Sequence, residues 1–252
     1  MTATVLLPHG VGAYVGALVG PVVSDKIHEV LADMAQRQLS EKEGQRVRAA
    51  VSVSEDIVRT NLAEGKNPRS DWFGNTWGDP LPDDATEIIE GVLMAAQHEH
   101  ETRKVAILGR ILGNLAFTPQ IDRDYANILI RSASELTYRQ FCILALLARG
   151  DSEELDLPVK LEVGDGSGPI VGLLTEMYDL YRRTMVQQRS HGEVQGFMAL
   201  KAFDLQPKWL RTVRGPGGWL ATLGDVDASI PSAEIERVAQ TLRDARQTTA
   251  DI

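Results

Sequence analysis

The chain has 252 residues, of which 43% are hydrophobic and 24% are charged, a balance typical of a globular protein with a sizeable core. This composition argues against a disordered chain. The formal net charge of −9 argues against a protein that coats nucleic acid or an anionic membrane through its overall charge. A local basic patch remains compatible with either function.

The chain contains a single cysteine, Cys142. One cysteine excludes a disulfide within the chain and a zinc site built from several cysteines. Because Cys142 lies in the apolar run FCILALLA, we expect its thiol to be buried in the core.

The N-terminal run VLLPHGVGAYVGALVGPVV, residues 5–23, is apolar and rich in glycine. Gly10 and Gly12 resemble a nucleotide-binding turn, but a helical pattern follows where a second strand and an acidic residue are required. About 14 of its residues form an unbroken apolar or small-residue stretch, whereas spanning a bilayer takes roughly 20.

The same run places Gly12, Gly16 and Gly20 four residues apart, a spacing that lets two helix backbones approach closely. We therefore interpret these glycines as a packing surface for self-association. Membrane contact through residues 5–23 is the alternative interpretation.

Residues 24–62 carry apolar side chains at three- and four-residue steps between charges, which predicts one long helix or two stacked helices. Residues 63–84 are rich in Gly, Pro, Asn and Asp and are predicted to form a loop. That loop carries Trp72, Phe73 and Trp77. These aromatic side chains either pin the loop to the core or form a partner-binding surface.

A helix or a kinked pair of helices is predicted to begin at Asp83 or Asp84 and to reach Phe117. Carboxylates and a histidine near one face of this region could bind a metal ion. These residues are Glu87, Glu90, His98 and Glu101. Di-iron bundles repeat Glu-x-x-His on two helices, whereas this chain has the reversed order once. A solvated charged face is therefore favoured, and neither a metal nor a cofactor is predicted.

Two further helices are predicted before residue 149. The first has an apolar stripe made of Tyr125, Ile128, Leu129, Ala133 and Leu136. The second, YRQFCILALLA, is apolar on nearly all sides and should therefore be central. Thr137 is positioned to cap its N-terminus.

The runs ATEIIEGVLMAAQHEHETRKVAILGRILGNLAF and ANILIRSASELTYRQFCILALLA resemble an uncharacterised family of bacterial helical proteins. The resemblance covers Ser40 to Ala148 and rests on the general helical pattern. It implies a helical fold and carries no residue roles to this chain. We expect a cytoplasmic protein that is peripheral to the membrane if the N-terminal run contacts lipid.

The C-terminal third differs from the helical part before it, because it contains a short predicted strand in VKLEV as well as a predicted helix over residues 170–186. The order of elements from Leu136 onward is similar to a winged-helix domain. No recognisable helix-turn-helix lies between Ala148 and Ile170, so direct base readout by a recognition helix is in doubt. A closing helix is predicted after a cap at Ser232.

The predicted fold is therefore mainly α, a helical bundle with a smaller α+β winged-helix-like C-terminal portion. We divide the chain into an N-terminal segment, residues 1–23, a helical domain, residues 24–148, and a C-terminal domain, residues 149–252.

The sequence from Arg182 to Gly217 contains seven basic residues and only two acidic residues. This local reversal of charge is compatible with contacts to nucleic-acid phosphates. Pairing of these basic residues with acidic residues elsewhere in the chain is the favoured interpretation. The candidate nucleic-acid-binding residues are Arg182, Arg183, Lys208, Arg211 and Arg214.

No nucleophile elbow, phosphate-binding loop, metalloprotease helix or kinase signature occurs in the sequence. No catalytic residue is therefore predicted. The leading hypothesis is a non-catalytic helical protein that self-associates or binds a partner in a regulated way. The alternatives are nucleic-acid binding through the basic region and membrane association through the N-terminal run.

We call the surface formed by Gly12, Gly16 and Gly20 the glycine ridge. Replacing Gly16 with leucine should lower the oligomeric mass of the full-length protein, because the larger side chain separates helices that pack on this ridge. Light scattering measures this mass directly. An unchanged mass would remove the glycines from consideration as a self-association surface.

Overall fold

The computed structural model describes residues 21–37, 39–69, 71, 84–149, 169–188, 210–212 and 215–250. Within these ranges the protein is mainly helical, as predicted, with ten helices and two short strands. The predicted strand VKLEV, the glycine ridge and the three loop aromatics lie outside the described residues.

The helices before residue 150 are α1 (Pro21–Ala35), α2 (Glu41–Ala63), α3 (Asp84–His98), α4 (Thr102–Leu115), α5 (Arg123–Glu135) and α6 (Tyr138–Arg149). The later elements are α7 (Pro169–Arg182), β1 (Val186–Gln188), β2 (Leu210–Thr212), α8 (Pro216–Leu223), α9 (Val226–Ser229) and α10 (Ser232–Ala250). The two strands pair antiparallel, with Val186 opposite Thr212.

The region predicted as one long or two stacked helices is two helices, α1 and α2. Their separation is explained by a capping box, in which Ser40 Oγ accepts the Glu43 N–H at 3.4 Å. The Glu43 carboxylate in turn accepts the Ser40 N–H at 2.8 Å. The Ser40 hydroxyl also donates to the Glu43 carboxylate at 2.6 Å. The hydrogen bonds that this carboxylate accepts from Ser40, the one from the hydroxyl first, lower the pKa of Glu43.

The most extensive helix pair joins α2 to α4. A Cβ atom built on Gly109 would lie 2.5 Å from the Ala50 carbonyl oxygen, and one built on Gly113 would lie 2.7 Å from Ile57 Cβ. The two glycines are four residues apart, so they face α2 from successive turns of α4. The backbones approach so closely that side chains larger than hydrogen do not fit there.

Helix α6 is central, as its apolar sequence predicts, and every side chain from Gln140 to Leu147 is buried. Cys142 is only 2% exposed, which confirms the prediction of a core thiol. Burial raises the pKa of this thiol to about 11, so it stays protonated at neutral pH. Around α6 pack α7, β2, α8, α9 and α10.

The C-terminal helices share one apolar core with the bundle that precedes them. Polar contacts add to this packing, since Asn114 Nδ2 donates to the Leu223 carbonyl at 2.8 Å and Arg110 pairs with Asp225 at 3.2 Å. The division of the chain at residues 148 and 149 stays a prediction.

Two details of the predicted helices are wrong. Its spacing predicts that Ile128 lies on the apolar stripe of α5, but this side chain is 53% exposed to solvent. The helix predicted to reach residue 186 ends at Arg182, since Thr184 adopts a left-handed backbone with φ of 58°. Met185 then donates its N–H to the Leu180 carbonyl, the bond that closes a Schellman motif.

No helix among the described residues is both long and apolar enough to cross a membrane. The N-terminal run before residue 21 lies outside these residues, so its predicted membrane or packing role stays a prediction.

Replacing Gly113 with alanine should lower the free energy of unfolding by about 1–3 kcal/mol, because the methyl group overlaps Ile57 and forces α2 and α4 apart. Urea unfolding measures the change.

A matched control is Gly91→Ala in α3, where the added methyl group would meet only Ile130 atoms at 3.8 and 3.9 Å. This variant should be more stable than the wild type by about 0.5–1 kcal/mol, because alanine favours the helix over glycine. Equal effects of the two substitutions would contradict the close packing of α2 against α4.

Candidate functional site: a cleft between parallel helices

Helices α3 and α5 lie side by side and run in the same direction. Near their N-termini, Arg123 pairs with Asp84 at 3.4 Å and Asn127 Nδ2 donates to Glu87 Oε1 at 2.6 Å. One turn further, Gly91 faces Ile130. Beyond this point a cleft of about 520 Å³ opens between the C-terminal halves of the two helices, and we call it the α3–α5 cleft.

The α3–α5 cleft has an apolar base and a polar wall. Ile130 and Leu136 are buried at its base, and Met94 of α3 lies beside them with 42% of its surface exposed. The polar wall is formed by His98 at the end of α3, by the α3–α4 turn, residues 99–101, and by the last two turns of α5. Both apolar and hydrogen-bonding contacts are therefore available to a molecule in the cleft.

A buried ion pair lies at the inner end of the cleft. Lys104 Nζ is 2.5 Å from Glu99 Oε2, and each side chain is 3% exposed. Lys104 Nζ also donates to the Ser134 carbonyl at 3.0 Å, and Glu99 Oε1 accepts the Glu101 N–H at 2.8 Å. Because both charged groups have hydrogen-bonding partners, this pair avoids the penalty of an uncompensated buried charge.

The orientation of the helices explains why a cation is held there. Two helices that run in parallel direct the negative ends of their dipoles towards the same region. The Ser134 carbonyl belongs to the last turn of α5 and receives Lys104, while the Gln97 carbonyl in the last turn of α3 receives Arg46 at 3.1 Å. Each helix C-terminus is thus stabilised by a basic side chain from another helix.

The turn that forms the polar wall also fixes the start of α6. Glu101 Oε2 accepts the Tyr138 N–H at 2.9 Å. Thr137 Oγ1 accepts the Gln140 N–H at 3.1 Å, and Gln140 Oε1 accepts the Thr137 N–H at 2.9 Å. The prediction that Thr137 caps this helix is confirmed, and the cap ties the cleft to the central helix.

The carboxylates that line the cleft all have partners, whereas some of its donors do not. Glu99 binds Lys104, Glu101 binds the Tyr138 N–H, and Glu135 binds Arg183 at 2.6 Å. In contrast, the guanidinium of Arg131 and the imidazole of His98 make no hydrogen bond or ion pair within the described part of the chain, although both line the cleft. The N–H donors of the Arg131 guanidinium are therefore available to an incoming group.

A metal ion fits this site poorly. Glu99, His100 and Glu101 have potential ligand atoms within 4.8 Å of one another. However, the ammonium of Lys104 already lies against Glu99, and one oxygen of Glu101 is held by the backbone of α6. The imidazole of His100 is 89% exposed and lies 3.4 Å from Glu99 Oε1. A divalent cation would have to compete with a resident positive charge.

The acidic residues considered as metal ligands from the sequence are dispersed in the structure. Glu87 pairs with Asn127 of α5, and Glu90 pairs with Arg37, which follows α1, at 2.6 Å. His98 and Glu101 do reach the same cleft. Sequence reasoning missed Lys104, although a lysine in register with buried Leu108 and Ile111 on the apolar stripe of α4 is a signal of a buried charge.

The structure describes only part of the predicted nucleic-acid-binding set. Arg182 is exposed at the end of α7. Arg183 lies between Glu135 at 2.6 Å and Asp179 at 2.8 Å, and its hydrogen bond to Glu135 is the main reason that its pKa is raised. Arg211 contributes its backbone to β2, opposite Gln187.

The remaining candidate residues lie outside the described ranges. Lys208 and Arg214 belong to the nucleic-acid-binding set. Gly12, Gly16 and Gly20 were proposed for self-association, and Trp72, Phe73 and Trp77 for partner binding. Their roles stay predictions.

Comparisons with protein-family models, with curated proteins and with solved structures find no match to this chain. The resemblance to a bacterial helical family therefore stays a prediction.

Replacing Lys104 with methionine should lower the free energy of unfolding by about 3–5 kcal/mol, because the buried Glu99 carboxylate is left without its partner. Most of this loss should be recovered when Glu99 is also replaced with glutamine, which removes the unpaired charge and can still accept the Glu101 N–H. Urea unfolding of the single and double variants measures both effects.

Arg59→Met is the surface control, since the Arg59–Asp56 pair is exposed and should contribute less than about 1 kcal/mol. A double variant as unstable as Lys104→Met alone would contradict the assignment of Lys104 and Glu99 as a mutually dependent pair.

Proposed function

We propose that this protein is a non-catalytic helical module that binds a protein partner, and that the partner occupies the α3–α5 cleft. The observation that carries the proposal is the combination of an open cleft, an exposed methionine at its edge and a buried ion pair that fixes its inner end. Such a site is rigid at its base and adaptable at its opening, which suits recognition of another chain.

Exposed apolar side chains support a surface for protein contact. Met94 and Ile128 are the large hydrophobic side chains that are exposed among the described residues, at 42% and 53%. Met94 lines the cleft, and Ile128 lies about one turn before Arg131 of the cleft on α5. Apolar groups beside a polar rim are typical of protein interfaces.

The chemistry of Lys104 favours binding over catalysis. Its ammonium donates to a carboxylate and to a carbonyl at a helix end, and its side chain is 3% exposed. A lysine held in this way serves as a fixed positive charge rather than as a free amine that attacks a substrate.

Nucleic-acid binding by a winged-helix-like C-terminal part is the alternative kept from the sequence. The antiparallel β1–β2 ribbon between α7 and α8 is compatible with it. The pairing of Arg183 with two carboxylates reduces the charge that this residue can offer to phosphates. We therefore rank this function below partner binding. Self-association through the glycine ridge is a separate proposal that concerns another surface.

Selection from a display library of random short peptides tests the proposed function. Peptides enriched on the wild-type protein should lose most of their binding to Gly91→Phe, because a large side chain at this position, next to Ile130, fills the cleft. Ala106→Phe places the same side chain on an exposed position of α4 outside the cleft and serves as the control.

Circular dichroism should show that both phenylalanine variants are folded before binding is compared. A selection that enriches no peptides, or peptides that bind Gly91→Phe as well as the wild type, would contradict the proposed site.

A further inference from the structure

The inference that follows rests on the proposed function and concerns the chemistry of the partner. We propose that the α3–α5 cleft recognises an acidic segment of a protein, in which an aliphatic side chain contacts Met94 and a nearby carboxylate pairs with Arg131. Three features of the cleft lead to this assignment, and a fourth feature, the overall charge of the chain, bears on how such a partner approaches.

The first feature is the state of the charged groups around the cleft. Its three carboxylates are each engaged by a partner within the protein, as described above. Arg131 lines the same cleft and has no hydrogen bond or ion pair to any residue that the structure describes. A guanidinium presents several donors in one plane and matches the two oxygens of a carboxylate. Arg131 is therefore the charged side chain of the cleft that can pair with an incoming carboxylate.

The second feature is the position of Lys104, which decides where that anion binds. Lys104 is buried and directs its ammonium to Glu99 and to the end of α5. It neutralises the charge of Glu99 inside the protein and is not exposed to an incoming group. Because Arg131 on α5 is exposed, its guanidinium, and not the ammonium of Lys104, is the group that contacts an incoming anion.

The third feature is the apolar surface next to Arg131. Met94 exposes 42% of its surface in the cleft, where Ile130 and Leu136 form the base. An unbranched thioether side chain adapts to aliphatic groups of different shape. A free inorganic anion would leave this surface in water, whereas a peptide with an acidic and an aliphatic residue would cover it.

The fourth feature is the overall charge, which bears on whether an acidic partner can approach. The chain has a formal net charge of −9, which repels an acidic segment at long range. Salt screens this repulsion beyond about 8 Å at physiological ionic strength, while a contact to Arg131 acts within hydrogen-bonding distance. At physiological ionic strength the net charge therefore does not prevent a short-range contact to Arg131.

Three short peptides, acetylated and amidated at their ends, test the inference. They share pairs of leucines and differ only in the intervening residues, which are glutamate, lysine or glutamine. The readout is the ¹³C-methyl spectrum of methionine-labelled full-length protein, in which Met94→Leu assigns the Met94 signal. The buried Met34 and Met177 serve as internal references, since neither is more than 1% exposed.

The glutamate peptide should shift the Met94 signal and bind about tenfold more tightly than the lysine peptide, as expected for a charge-assisted contact. Arg131→Gln should weaken the glutamate peptide by about tenfold and leave the glutamine peptide unchanged. Arg182→Gln removes an exposed arginine outside the cleft and should have no effect.

The outcomes separate this inference from the proposed function. Equal binding of the three peptides with a shift of Met94, or tighter binding of the lysine peptide, overturns the acidic partner but leaves the cleft as a binding site. If none of the three shifts Met94, the acidic partner is also overturned. The peptides from the display selection then decide whether the cleft binds partners at all.

Discussion

The close contact between α2 and α4 is the constraint on which the rest of the structure depends. Gly109 and Gly113 bring the two backbones together, and side chains on the other faces of both helices then reach the common core. The position of α4 in turn fixes Lys104 in its first turn, and Lys104 holds the end of α5. The geometry of the cleft therefore depends on the contact between α2 and α4, which lies on another face of α4.

Electrostatics sets a second constraint, because two helix C-termini and three carboxylates meet around one cleft. Water would solvate such charges on an open surface, but much of this region is buried. Basic side chains from neighbouring helices bind these helix ends: Arg46 of α2 donates to the last turn of α3, and Lys104 of α4 donates to the last turn of α5. These contacts stabilise the two helix ends, and Arg131 remains as an exposed donor beside the three carboxylates that line the cleft.

Much of the fold could be predicted from the sequence, because apolar periodicity and helix caps are local signals. Cys142 and Thr137 are where their neighbours in sequence predict them to be. Most of the cleft could not be predicted, since its residues come from three helices and the turn between two of them. Ile128 fits a helical stripe by spacing, yet only the packing of α5 on α3 shows that it faces solvent.

The parallel course of α3 and α5 has a consequence for how the protein folds. Neighbouring helices joined by a tight turn are antiparallel and can associate early, but parallel neighbours need an intervening segment to carry the chain back. Here α4 is that segment, and it is itself placed by α2. The two walls of the cleft can therefore meet only after α4 has carried the chain back along α3, so the binding surface depends on contacts between residues about 40 positions apart in sequence, such as Asp84 and Arg123.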